Sequence, residues 1–122
     1  MNKNKEFVAE LTTRILKYSA EIIELIDNLP RDLSSPILAR QLLRCATSIG
    51  ANFVEAQAAP SRKDFANFLS IALKSANETR YWLWLFRQSR KGNSDTIEHL
   101  QRETLELANI LGSIIKSTRK GI

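Results

Sequence analysis

The sequence predicts an all-α fold, an antiparallel up-down-up-down four-helix bundle. Three observations carry the prediction. Four long stretches repeat apolar residues at intervals of three and four; short breaks rich in Pro, Gly and Ser separate them; and no stretch alternates apolar and polar residues as a half-buried strand would. Long helices joined by short connections run antiparallel to their neighbours, which sets the topology.

In the first stretch Phe7, Leu11, Ile15, Tyr18, Ile22, Ile26 and Leu29 form one apolar stripe, predicting a helix over about residues 4–28 that ends before Pro30. The second helix is predicted over about 35–58, with Ser35 as N-cap and Pro36 at the first helical position, where its missing N–H is harmless. Its apolar face is Leu38, Leu42, Cys45, Ile49 and Phe53. At 100° per residue Gln41, Arg44, Ser48, Asn52 and Glu55 fall on an adjoining polar strip. Ala46 and Gly50 flank the apolar face, where a missing side chain lets a neighbouring helix come close.

Pro60 stops that helix, and Ser61 with Asp64 three residues on has the spacing of a capping box. The third helix is predicted over about 62–90, with a core face of Phe65, Phe68, Leu69, Ala72, Ala76, Thr79, Leu83 and Phe86. Gly92 is expected to supply the left-handed residue that ends it. The fourth helix, about 95–118, opens with Asp95 and Glu98 near the positive end of its dipole and buries Ile97, Leu100, Thr104, Leu107, Leu111 and Ile114.

The run from Tyr81 to Phe86, YWLWLF, is apolar around the whole helix. Leu83 and Phe86 are assigned to the core, which leaves Tyr81, Trp84 and Leu85 facing away as an expected self-association surface. Arg44, Ser48, Asn52, Glu55 and Glu78 are expected to form a hydrogen-bonded polar seam between helices or subunits.

A chain of 122 residues, 43% hydrophobic and 25% charged, suits one soluble globular domain spanning 1–122. No membrane span or signal core is evident, so a cytoplasmic protein is expected. One cysteine and one histidine exclude an internal disulfide and leave a Cys/His zinc site short of ligands; Cys45 reads as a small buried hydrophobe and His99 as a surface residue. There is no Glu-x-x-His pair, Gly-rich phosphate loop or Ser/His/Asp set, so no catalytic residue, metal or cofactor is expected.

The net charge of +5 is concentrated in the third helix. Between residues 61 and 91, Arg62, Lys63, Lys74, Arg80, Arg87, Arg90 and Lys91 stand against Asp64 and Glu78. Arg62, Arg80, Arg87 and Lys91 project within about 40° of one another, a stripe suited to phosphates, with Lys63 and Lys74 as further candidates. RNA or DNA is the ligand class this predicts. A protein–protein scaffold for a partner encoded nearby is the alternative.

The motifs Leu29-Pro30, Gln41 to Ala46, Ser48 to Asn52, Glu55-Ala56, Ser61 to Phe65, Phe68-Leu69 and Tyr81 to Leu83 resemble those of the four-helix-bundle proteins encoded in intervening sequences of bacterial 23S ribosomal RNA genes. Ala56 replaces the glycine that often closes the family's second-helix motif, which extends the helix slightly. The resemblance implies a ring-like homo-oligomer, a pentamer, without established enzymatic activity. It also implies kinship with accessory variability determinant proteins of diversity-generating retroelements, which act with nucleic acid and a reverse transcriptase. The expected partners are therefore further copies of the chain, RNA or DNA, and a reverse transcriptase or other neighbouring gene product.

Overall fold

The computed structural model describes residues 3–121, and four helices fill most of that span. They are α1 (Lys3–Asp27), α2 (Ser35–Gln57), α3 (Arg62–Gln88) and α4 (Ser94–Lys120), with no strand among the described residues. Each helix packs on its sequence neighbour, α4 closes back on α1, and diagonal helices do not approach each other. That neighbour order is the up-down-up-down bundle. Met1, Asn2 and Ile122, the ends of the expected 1–122 domain, lie outside the described residues.

The core is built from the predicted stripes. Tyr18, Ile22, Leu42, Phe53, Phe86 and Leu107 are all fully buried. Two stripes drift by one residue: Leu25 is buried where Ile26 was expected, and Ile115 where Ile114 was. A helix turns every 3.6 residues, so a pattern of threes and fours fixes the buried side only to within about one residue over several turns. Phe7 is 45% exposed, because it lies at the open end of the bundle beyond the last full layer of core.

Helix starts differ in their chemistry. Ser61 caps α3 as expected: its Oγ accepts from Asp64 N–H at 3.1 Å, and its hydroxyl donates to the Asp64 carboxylate at 2.9 Å. Ser35 is not the N-cap of α2. It is the first helical residue, buried, and its Oγ has no hydrogen-bond partner. Ser34 occupies the cap position with helical backbone angles, which keep its side chain from turning back onto the first turn. Asp32 substitutes for it, accepting from Ser35 N–H at 2.8 Å. α4 is capped by Asn93, whose side chain accepts from Thr96 N–H at 3.0 Å.

The end of α3 also departs from expectation. Lys91 N–H bonds back to Phe86 C=O at 2.9 Å and Arg90 N–H to Arg87 C=O at 3.2 Å, so the left-handed position belongs to Arg90, with φ 59°. Gly92 follows with φ 80°, and a Cβ there would sit 2.8 Å from Leu25 Cδ1. A left-handed arginine carries a steric cost that glycine lacks. Arg90→Gly is therefore expected to raise stability by about 0.5–1 kcal/mol after the added unfolded-state entropy is subtracted. A urea midpoint that fails to rise would show that Arg90 does not hold this conformation.

α1 is joined to α4 by polar bonds. Arg14 grips Glu103 through two nitrogens, at 2.7 and 2.6 Å, and reaches Glu106 at 3.0 Å. That guanidinium holds the Glu103 carboxyl below the usual carboxylate range. His99, exposed as expected, meets Glu21 at 3.0 Å.

Candidate functional site: a cationic aromatic groove and a polar seam

α3 presents three different sides because it has two neighbours. The side toward α2 forms the polar seam. Arg44 donates to Glu78 at 2.8 Å and to Gln41 at 3.0 Å, while Glu78 also accepts from the Trp82 indole N–H at 3.0 Å. One step along, Ser75 donates to Ser48 at 3.0 Å, and the Asn52 amide bonds both the hydroxyl and the carbonyl of Ser48 at 2.9 Å. Beneath these, Thr79 Oγ1 meets Cys45 Sγ at 3.2 Å, and burial pushes the Cys45 thiol up. A buried thiol held in its neutral form is a poor nucleophile, so Cys45 serves as packing.

The seam unites Arg44, Ser48, Asn52 and Glu78. Glu55 is not part of it. It lies eleven residues beyond Arg44, roughly 16 Å along the helix axis, exposed and without a bonded partner among the described residues. The sequence reading missed Ser75, Thr79 and Trp82 as seam members. Their signal was available: Ser75, Glu78, Thr79 and Trp82 recur at intervals of three and four on α3. The Arg44–Glu78 pair is largely exposed, so it aligns the helices more than it stabilises them.

The side toward α4 is a groove of about 590 Å³ lined by Asn77, Arg80, Tyr81, Trp84, Gln101, Arg102 and Leu105. No carboxylate lines it. Tyr81 and Trp84 are 55% and 60% exposed, and Leu85 is half-buried. Trp84 does not lie opposite the core as expected; the second neighbour, α4, puts it at the flank of α3 beside Arg80.

The basic stripe divides. Arg80, Lys63 and Lys74 are exposed and have no ion-pair or hydrogen-bond partner among the described residues. Arg62 donates to Gly121 C=O at 2.9 Å, and Arg87 donates to Gln101 at 3.1 Å with Glu98 4.0 Å away. Lys91 must be removed from the stripe. It bonds Asp32 at 2.8 Å with its side chain only 13% exposed, and it follows the end of α3 at Gln88, where helical angles no longer apply. Lys91 and the Ser35 N–H together hold the Asp32 carboxyl well below the usual carboxylate range.

Among the described residues, no group of three or more His, Cys, Asp or Glu side chains is placed to hold a metal, and no helix is long and apolar enough to cross a membrane. Fold and surface together define a basic four-helix bundle whose open features are a cationic aromatic groove and uncovered apolar faces. The chain belongs to the 23S rRNA-intervening sequence protein family, whose profile matches residues 9–113. It is similar to a protein of unknown function from the S23 ribosomal protein family of Bacteroides thetaiotaomicron. The two are 38% identical with a TM-score of 0.79, over 86% of this chain and 97% of that one. No curated protein matches the chain.

Proposed function

We propose that the protein is a non-enzymatic, cytoplasmic accessory or adaptor that binds RNA or DNA through phosphate contacts and works as a ring-like homo-oligomer of five subunits. The observation that carries the nucleic-acid reading is the placement of Lys63, Lys74 and Arg80. These three cations are exposed and unpaired among the described residues, and Arg80 lines a groove without carboxylates. Phosphate neutralisation gives affinity without sequence choice, and a ring repeats the contacts.

Self-association is supported by apolar side chains on the faces beside α2. Gly50 lies against Ile15 and Ser19, and this antiparallel register brings Ile23 level with Leu43 and Leu16 level with Gly50. Leu16, Ile23, Leu43 and Val54 are all exposed. On the other flank of α2, Ile37 and Ile71 are exposed and Leu85 is half-buried. Two different apolar faces on one protomer suit head-to-tail contacts, which close into a ring. Leu85 remains an interface residue in this arrangement, whereas Tyr81 and Trp84 belong to the groove.

A titration of RNA and DNA oligonucleotides at two salt concentrations tests the reading. The expected result is binding that weakens steeply with salt, and loss of at least 10-fold in affinity for Lys74→Glu with Arg80→Glu at unchanged helicity and mass. Absence of binding at low salt, or indifference to the double reversal, rejects it. A monomer by light scattering at micromolar concentration rejects the ring. A second reading, a scaffold for a neighbouring gene product such as a reverse transcriptase without nucleic acid, draws on Leu33. This residue stands 94% exposed in the α1–α2 connection, and binding through it would survive salt.

A further inference from the structure

Phosphate contacts explain Arg80 and Lys74 but give no reason for aromatic rings beside them. Trp84 and Tyr81 leave more than half of their surface in water, and both line the α3–α4 groove between Arg80 and Arg102. An indole and a phenol offer flat π surfaces. The two arginines offer positive charge and planar guanidinium faces, and the Asn77 side chain has no partner among the described residues. Arg102 bonds Glu98 at 3.0 Å, an exposed pair that a phosphate can replace at little cost. Flat rings, cations and the free Asn77 amide, in a groove that no carboxylate lines, suit a planar, polyanionic ligand.

We propose that the groove takes unpaired nucleotides, with bases of single-stranded RNA or DNA stacking on Trp84 and Tyr81 while Arg80 and Arg102 hold the flanking phosphates. The proposal rests on the nucleic-acid reading above and narrows it to strand state. Duplexes hide their base faces in the stack, so the aromatic pair adds nothing to duplex binding. A single strand exposes every base face, and stacking on an aromatic side chain is tolerant of sequence. Lys63 and Lys74, on the outward side of α3, attract either form. The aromatic groove discriminates.

The chain has two tryptophans, so Trp82→Phe leaves Trp84 as the sole tryptophan, read by excitation at the red edge where the tyrosines do not absorb. In that background, 15-nucleotide single strands of RNA and of DNA, the matching DNA duplex and an abasic DNA strand are titrated at low salt. The expected result is quenching by both intact single strands and little by the abasic strand or duplex. Anisotropy of labelled strands with Trp84→Ala in the natural background should show at least a 10-fold loss for single strands and less than a 2-fold change for duplex. Trp84→Phe should retain most of the affinity. Equal losses for strand and duplex, equal affinity for intact and abasic strands, or no effect of Trp84→Ala would overturn the stacking proposal while leaving phosphate binding standing. No binding of any nucleic acid would overturn both. A fall in assembly mass on Trp84→Ala would place the indole in a subunit contact instead and also overturn it.

Discussion

Gly50→Leu is expected to lower stability by about 3 kcal/mol, or the melting temperature by roughly 10 °C, the upper end of what overpacking costs. A Cβ at Gly50 would lie 2.9 Å from Ile15 Cγ2, closer than such atoms approach. That methyl belongs to a β-branched side chain that is 3% exposed, so it has no free rotamer to move into. The glycine is thus the price of bringing α1 close to α2. Gly50→Ala sets the same clash against a gain of about 1 kcal/mol in helix propensity, and should fall between wild type and Gly50→Leu. Gly112, in the interior of α4, is the control. A Cβ there meets nothing within 4 Å, so Gly112→Ala should raise the midpoint by the propensity term alone. Thermal melting of the three variants at one protomer concentration decides the matter. A Gly50→Leu protein that melts like wild type would mean that α1 and α2 are not held at this distance.

Gly50 shows which structural information the sequence carried and which it lacked. Its position four residues after Ala46, beside an apolar face, marked a close approach, but nothing local named Ile15 as the neighbour. Periodicity reports which side of a helix is buried; it does not report the partner or the level at which two helices meet. The same limit explains the seam. Arg44, Ser48 and Asn52 were visible as a strip on α2, and Glu78 as a carboxylate on α3, whereas the pairing of Ser48 with Ser75 depends on the register between helices. Glu55 shares the strip but finds no group opposite it.

Lys91 and Trp84 were misplaced for two other reasons. Lys91 was put on the basic stripe by extending helical angles past Gln88, into a connection where Arg90 is left-handed and the chain turns toward Asp32. Trp84 was put opposite the core by treating α3 as a helix with one buried side. A helix at the corner of a bundle has two neighbours, so its flanks are grooves, and Trp84 lies in one with Arg80. That shift changes the chemistry inferred for the residue. An indole alone on an open face suggests another apolar face; an indole between guanidinium groups suggests a ring with charge attached to it.

The bundle also contains a buried hydrogen bond whose two ends should respond unequally to mutation. The Tyr18 hydroxyl lies 2.6 Å from Thr104 Oγ1, and both residues are fully buried. Thr104 donates its own proton to Leu100 C=O at 2.6 Å, so the phenol must be the donor to Thr104. Burial raises the phenol's pKa and keeps it in that donating form. Tyr18→Phe removes the donor and leaves the Thr104 hydroxyl still bonded to Leu100, a loss of about 1 kcal/mol. Thr104→Val keeps the shape but strands the phenol O–H where no water reaches, at a cost of about 2–3 kcal/mol. The double variant removes both ends and should be more stable than Thr104→Val alone, an inversion that independent effects cannot produce. Urea denaturation of the three variants at a fixed protomer concentration measures it. Equal costs for the two single variants, or a double variant that is the least stable of the three, would mean that the phenol has a second partner in solution.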